Sequence, residues 1–170
     1  MNKSGYQNLI VYQISVVVFD LTNLFCRRYI MGRTFDQMIQ AARSGKQNIV
    51  EGSLEKSLKM NINLTAVARA SFGELLEDFK DFLRTNNLQL WDKNDPRVLS
   101  IRNICITSNS SNLTNWTNWT NSKESFANLM ITLISLNCYL LDKMVRSLEQ
   151  KFITQGGYSE NLFKKRLASR

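Results

Sequence analysis

The 170-residue chain has no histidine, a single proline and only seven glycines. Without histidine, the common zinc sites would need closely spaced cysteines, yet the three cysteines are far apart and form no C-x-x-C pair. The Glu-x-x-His ligands of di-iron helical proteins are absent as well. The shortage of helix breakers predicts long, uninterrupted helices. We therefore expect a helical protein without a metal or a cofactor.

The sequence also contains little that would support catalysis. Cys26 precedes Arg27 and Arg28, whose charges are expected to lower the thiol pKa, but no histidine can act as its general base. The stretch QGGYSE at 155–160 has neither the spacing nor the lysine of a phosphate-binding P-loop. The sequence predicts a protein that is not an enzyme.

The apolar stretch LIVYQISVVVF near the N-terminus resembles the core of a signal peptide. Gln13 and Ser15 interrupt this stretch, Asp20 ends it, and no small-residue cleavage site follows. It is also too short to span a bilayer. Together with an odd number of separated cysteines, which are expected to be reduced, this favours a cytoplasmic location.

Apolar residues recur at spacings of three and four in four segments, which predicts four helices. They run from about Ile10 to Gly32, from Thr34 to Val50, from Asn63 to Asn87 and from Phe126 to Phe152. Thr34 and Gln37 match a capping box at the start of the second helix. The expected fold is all-α, an antiparallel four-helix bundle over residues 1–152, followed by a basic tail at 153–170.

A different kind of sequence, residues 87–124, separates the third and fourth predicted helices. It has a turn at Pro96 that a short helix could follow, and then a stretch at 108–122 rich in Asn, Ser, Thr and Trp. We expect an exposed loop there, and we attribute its glycosylation-like NLT and NWT triplets to composition. Trp116 and Trp119 could stack on bases or dock a partner, but folding back onto the bundle is favoured.

The net charge of +8 points to a polyanionic partner such as nucleic acid, or to an anionic membrane surface. Eight cations against three acids lie between positions 27 and 69, and seven against two between 143 and 170. The alternative for Arg43 and Lys46 is that they are solvated or paired with Glu51, and the alternative for Lys164–Arg166 is a solvated, mobile tail. The candidate nucleic-acid-binding residues are Arg27, Arg28, Arg43, Lys46, Lys143, Arg146, Lys164, Lys165 and Arg166.

The second predicted helix carries small residues where a backbone could approach closely. The third carries an acidic stripe that consists of Glu74, Glu77, Asp78 and Asp81. Carboxylates at spacings of three and four could bind metals, but no second carboxylate cluster faces them, so we predict ion pairs with a neighbouring subunit. Arg69 could partner the stripe within its helix or across an interface. The predicted oligomer interface contains Ala41, Ala42, Ser44, Gly45, Asn48, Arg69, Glu74, Glu77 and Asp78.

Several stretches resemble the four-helix-bundle suffix proteins of the 23S rRNA intervening-sequence-protein group, over about residues 12–166. They are RTFDQMIQAARSGKQNIVEGS, LTAVARASFGELLEDFKDFLR, LQLWDK, NCYLLDKMVRSLEQ and QGGYSENLFKKR. The resemblance implies a bacterial, ring-shaped homopentamer. A relative in this group, the accessory variability determinant of diversity-generating retroelements, works with a reverse transcriptase and its RNA. The chain departs from the group's pattern at 108–122 and at ISLNC, where a histidine is often found.

Two functions follow as hypotheses. The first is a non-catalytic, homo-oligomeric accessory protein that binds RNA or DNA through backbone phosphates, with a reverse transcriptase as a possible protein partner. The alternative is an oligomeric protein–protein scaffold whose basic face docks an acidic partner. Binding to a membrane is disfavoured, because the apolar helix faces are expected to be used in the bundle.

Overall fold

The computed structural model describes residues 5–107 and 113–169. Within these ranges the chain is helical and contains no strand, which confirms the all-α prediction. The six α-helices are α1 (Ile10–Tyr29), α2 (Arg33–Leu54), α3 (Leu58–Thr85), α4 (Pro96–Thr107), α5 (Lys123–Gln155) and α6 (Tyr158–Ala168). Two short 3₁₀ helices, Gly5–Asn8 and Leu113–Trp119, precede α1 and α5.

Capping residues decide where α3 begins and where α5 begins and ends. The hydroxyl of Ser57 accepts a bond from the Met60 amide at 3.4 Å, so α3 starts before the apolar periodicity that predicted it. Ser122 caps α5 in the same way. Gly156, with φ of 74°, ends α5 at the predicted QGG stop. The capping box predicted at Thr34 is wrong, because α2 already begins at Arg33 and its N-cap residue has no side-chain bond.

Four long helices surround one apolar core. α1 packs on α2, α2 on α3, α3 on α5 and α5 on α1. The Phe25 ring of α1 lies at the junction of three of them, with centroids 4.9 Å from Phe79, 4.8 Å from Phe82 and 5.2 Å from Phe126. These edge-to-face contacts join α1 to α3 and to the first half of α5.

The first half of α5 is buried on every side, from Phe126 to Ile134. α1 and α3 cover its inner face, while α4 and the segment before it cover the outer face. Asn128 fixes that segment, since its side chain accepts from the Trp91 amide at 2.8 Å and donates to the Gln89 carbonyl at 2.8 Å. Because other segments cover the first half of α5 on every side, this half can be apolar around its whole circumference.

The predicted connection between the third and fourth helices is more ordered than expected. The short helix after Pro96 is confirmed as α4. Trp116 is fully buried within the second 3₁₀ helix, which confirms that it folds back onto the protein. The prediction of an exposed loop is therefore wrong for the segment around Trp116, while positions 108–112 of that prediction lie outside the described residues.

Two stretches, Ile10–Tyr29 and Lys123–Ala168, are long and apolar enough to cross a membrane by length and composition. The expectation that the N-terminal apolar stretch is too short to span a bilayer is therefore wrong by this measure. Half of the most apolar window of the first, and 61% of that of the second, is buried within the fold. Core helices commonly have these properties, so the two stretches are weak evidence for a membrane protein.

Candidate functional site

The small residues of α2 pack inside the chain. Ala42 and Gly45 are buried, and a Cβ added to Gly45 would lie 2.6 Å from the Phe72 ring of α3. Their predicted place in an interface between copies is therefore wrong: the close approach is to α3 of the same chain. Ala41, at 8% exposure, retains little surface.

Polar residues beside this contact also bond within the chain. The hydroxyls of Ser44 and Ser71 lie 2.9 Å apart, which joins α2 to α3. The Asn48 side chain donates to the Ser44 carbonyl at 2.8 Å, one turn earlier in α2. Ser44 and Asn48 thus stabilise the α2–α3 contact within one copy. Their predicted place in an interface between copies stays a prediction.

The α1–α2 basic surface consists of Arg27, Arg43 and Lys46, with Phe19 between the helices. The Lys46 ammonium lies 4.1 Å from the centroid of the Phe19 ring, a cation–π contact. Arg27 lines a shallow pocket of about 300 Å³ that also includes Phe19 and Asp20. Burial raises the pKa of Asp20, and the charge of Lys46 partly opposes this shift. Within the described residues, neither Arg43 nor Lys46 pairs with Glu51.

Arg28 has a structural role next to this surface. Its guanidinium donates to the Thr120 carbonyl at 3.1 Å and lies 5.9 Å from the Phe126 ring centroid. The side chain therefore fastens the segment before α5 to the end of α1, and it is less available for a phosphate than Arg27.

A second basic surface lies on α5 where α4 leaves it uncovered. The Lys143 ammonium sits 4.7 Å from the centroid of the Tyr139 ring, and that tyrosine is 55% exposed. Arg146 follows Lys143 by three residues and is also exposed, so it shares this face. Arg102 of α4 and Tyr139 line one cleft of about 380 Å³. We call Arg102, Tyr139, Lys143 and Arg146 the α5 basic surface.

Sequence reasoning missed Arg102. Its helix shows no clear amphipathic period, and the chain separates it from Tyr139 by more than thirty residues. Only the packing of α4 on α5 brings the two side chains together. Lys143 and Arg146, which were predicted from their spacing to Tyr139, do share a face with it.

The acidic stripe of α3 is partly neutralised within its own helix. Lys80 pairs with Glu77 at 2.8 Å, and Arg84 pairs with Asp81 at 2.7 Å. The expected partnership of Arg69 with the stripe is wrong, because its guanidinium pairs at 3.2 Å with Asp142 of α5. That pair fastens α3 to α5 inside one copy.

Two carboxylates of the stripe line open clefts between α2 and α3. Glu74 and Asp78 face Gln37, Gln40 and Ser44 across a cleft of about 480 Å³. Burial raises the pKa of Asp78, and the negative charges of Asp81 and Glu74 add to the shift. The described residues contain no group of three or more metal-binding side chains of the His, Cys, Asp and Glu types.

The three thiols are free and buried. Burial, together with a smaller effect of the nearby charge of Asp78, raises the pKa of Cys26 to about 12. The expectation that Arg27 and Arg28 would lower this pKa is therefore wrong. Burial likewise raises the pKa of Cys105 to about 12. Thiols with such values are not nucleophiles near neutral pH.

The α6 cations Lys164, Lys165 and Arg166 lie on an exposed helix. Within the predicted basic tail at 153–170, residues 153–155 extend α5 and most of the rest of the described part forms α6.

Comparison with known proteins supplies no family for the chain. No protein family matches it, and no curated protein or solved structure gives a significant match. The resemblance to the intervening-sequence-protein group stays a prediction.

Proposed function

We propose that the protein is a non-catalytic, homo-oligomeric accessory protein that binds nucleic acid through its phosphate backbone. In this proposal the α5 basic surface makes the principal contact and the α1–α2 basic surface a second one. The protein acts in the cytoplasm beside a reverse transcriptase and its RNA, as the resemblance implies, and the homo-oligomer is a pentamer.

The observation that carries the proposal is the lysine stacked on an exposed tyrosine. An aromatic ring that is 55% exposed, beside Lys143, Arg146 and Arg102, offers a stacking platform and positive charge at one place. Within the described residues, none of the three cations forms an ion pair. Phosphates could therefore bind them without first displacing a carboxylate.

The proposed architecture is an antiparallel four-helix bundle of α1, α2, α3 and α5. The cyclic packing of these helices supports it. So does the pairing of positions: Arg69 meets Asp142, whereas the segment just after α3 meets Asn128. As α3 advances, its neighbours on α5 therefore come earlier in the chain, which is the order that antiparallel helices give.

Charge reversal at the two surfaces tests the proposal. Lys143→Glu/Arg146→Glu and Arg43→Glu/Lys46→Glu each change the net charge by the same amount, as does the control Lys56→Glu/Lys59→Glu at exposed positions elsewhere. We expect the α5 variant to weaken binding to a single-stranded RNA at least tenfold, the α1–α2 variant less, and the control least. Binding is measured by fluorescence anisotropy on folded protein of determined mass.

Equal effects of the three variants would mean that net charge alone governs binding and would contradict a defined surface. Absence of nucleic-acid binding by the unmodified protein at low salt would overturn the proposal. The scaffold function, in which a basic face docks an acidic protein, would then take its place.

A further inference from the structure

Among the described residues, α6 lacks an extensive packing partner in its own chain. None of its residues is buried. Its larger apolar side chains are about half exposed: Tyr158 at 46%, Leu162 at 54%, Phe163 at 59% and Leu167 at 52%. An isolated helix of 11 residues is marginal in water, so packing against another surface would stabilise α6 substantially.

The chain also carries a cleft of complementary character between the end of α1, the start of α2 and the end of α3. The cleft has a volume of about 410 Å³. Its lining is mixed: the apolar members are Tyr29, Ile30, Met31, Met38 and Phe82, the uncharged polar members are Thr34, Gln37, Thr85 and Asn86, and the carboxylates are Asp78 and Asp81. Met31 is 91% exposed, which leaves a large apolar side chain open to water. The neighbouring cleft that contains Glu74 shares Asp78 and continues the negative edge.

We propose that α6 of one copy docks in this cleft of a second copy. The half-exposed Leu162 and Phe163 would cover Met31 and its apolar neighbours. Lys164 and Lys165 would meet Asp78 and Asp81, whose crowded negative charges lack a full complement of cations. The proposal rests on the proposed homo-oligomer and supplies its contact.

α6 is too short to reach the cleft of its own copy, so the docking needs a second copy. Phe82, at the cleft, lies one ring away from Phe126, because both stack on Phe25. From Phe126, α5 continues without a break to Gln155, a length of about 44 Å at 1.5 Å per residue. The two-glycine connection reaches about 11 Å at most, and α6 itself is about 17 Å long. Together these fall short of the cleft in the same copy.

Such a contact is heterologous, since the tail of one copy meets the opposite end of the next. Contacts of this type close into a ring or continue as a filament, depending on the rotation between copies. The connection at Gly156 and Gly157, where Gly156 has a φ of 74°, contributes to that rotation because it sets the direction in which α6 leaves α5.

Charge exchange tests the docking. The α6 variant Lys164→Glu/Lys165→Glu and the cleft variant Asp78→Lys/Asp81→Lys should each dissociate at concentrations where the unmodified protein is assembled. We expect the apparent dissociation constant to rise at least tenfold. The control Lys56→Glu/Lys59→Glu should keep the original mass. Mass is measured by light scattering after size-exclusion chromatography, and folding by circular dichroism.

Mixing the α6 variant with the cleft variant tests directly whether α6 of one copy contacts the cleft of another. A glutamate-bearing α6 then finds a lysine-bearing cleft, and the unmodified α6 finds the unmodified cleft. A 1:1 mixture should therefore recover most of the assembly that each variant loses alone, although a five-membered ring keeps one contact between like copies. This arm also covers the case in which one variant folds poorly alone. A photo-crosslinker at Phe163, used on mixed isotope-labelled and unlabelled chains, should join α6 to peptides containing Met31 or Phe82 of the other copy.

Each result separates the two proposals. An α6 variant that assembles as well as the control overturns the docking but leaves the oligomer intact. A monomeric unmodified protein overturns both the docking and the proposed oligomer. If that monomer instead floats with phosphatidylserine vesicles and the α6 variant does not, α6 serves a membrane surface and the docking is wrong. Nucleic-acid binding is measured separately and does not enter these outcomes.

Discussion

Two buried asparagines of α5 differ in whether their side-chain amides are hydrogen-bonded. Asn128 makes three hydrogen bonds, to the Trp91 amide and to the Gln89 and Glu124 carbonyls. Asn137 is also fully buried, yet neither atom of its amide has a partner among the described residues. An unsatisfied buried amide costs about 1–3 kcal/mol. The protein therefore keeps a destabilising group in its core at Asn137.

Replacing Asn137 by leucine should stabilise the protein. We expect the free energy of unfolding of Asn137→Leu to rise by about 1 kcal/mol, because the desolvated amide is removed and only part of the gain is lost to tighter packing. The matched change Asn128→Leu should lower it by at least about 2 kcal/mol, since the Trp91 amide loses its acceptor. Urea unfolding of both variants checks this; a loss of stability at Asn137 would show that its amide is satisfied.

The pKa of the Cys26 thiol could not be predicted from the residues next to it in the sequence. Arg27 and Arg28 follow Cys26, but both point to solvent or to the segment before α5, whereas the thiol faces the core near Met38. Burial and the charge of Asp78 therefore set its pKa. The thiol is neutral in the folded protein up to about pH 12 and ionises above about pH 9 when unfolded, so its contribution to stability is present below pH 9 and is lost as pH rises toward 12.

The positions of the long helices along the chain were largely predictable from the sequence, but the segments that pack against each helix were not. The 3.6-residue periodicity located the four long helices, because each needs an apolar face toward a common core. It could not predict α6, whose apolar residues are not arranged toward any part of the same chain. It also could not predict the cover over α5, since the contact of Asn128 with Trp91 joins residues far apart in sequence.

In the candidate sites as well, contacts within one helix were predictable and contacts between helices were not. The spacing of Tyr139, Lys143 and Arg146 predicted a shared face, because helix geometry alone determines it. The partner of Gly45 and the partner of Arg69 were predicted wrongly, since small residues and charges show that a contact exists but not whether it lies within one copy or between two.

The contact between α2 and α3 can be tested with two glycines. An added Cβ at Gly45 would lie 2.6–2.9 Å from three ring atoms of Phe72, which is fully buried and cannot move into solvent. At Gly73 the single close atom is the mobile Arg69 Nη1, at 3.1 Å. We expect Gly45→Ala to lower the free energy of unfolding by about 1–2 kcal/mol, because the clash exceeds the gain in helix propensity.

Gly73→Ala serves as the control in α3. Alanine is favoured over glycine in a helix by about 1 kcal/mol, so this change should be neutral or stabilising. Thermal and urea unfolding of the two variants provide the comparison. Equal behaviour would mean that α2 and α3 can separate slightly at no cost, and the close approach at Phe72 would not hold them together.

At the scale of the whole molecule, the charge is segregated rather than spread. The basic surfaces lie on α1–α2 and on α5, while the acidic clefts lie between α2 and α3. A net charge of +8 arranged in this way can bind a polyanion on some faces and a cationic helix on another. In an assembly, each basic surface would recur in every copy, so contacts that are weak singly would act together on one strand.

The dependence of binding on salt tests this arrangement quantitatively. For a backbone-binding protein, the logarithm of the affinity falls linearly with the logarithm of salt concentration, with a slope of about −0.9 per phosphate contacted on duplex DNA and about −0.7 on single strands. Lys143→Glu/Arg146→Glu removes two candidate contacts, so we expect its slope on single-stranded RNA to be shallower by about 1.4.

Titrations of an RNA and a DNA of equal length, on protein of known mass, measure both slopes. Because phosphate contacts carry no sequence information, the slope should be the same for unrelated RNA sequences. A tighter affinity for RNA at equal slope would point to contacts with the 2′-hydroxyl and would favour the role beside a reverse transcriptase. An unchanged slope in the variant would show that neither Lys143 nor Arg146 contacts a phosphate, and the α5 basic surface would then belong to a protein partner.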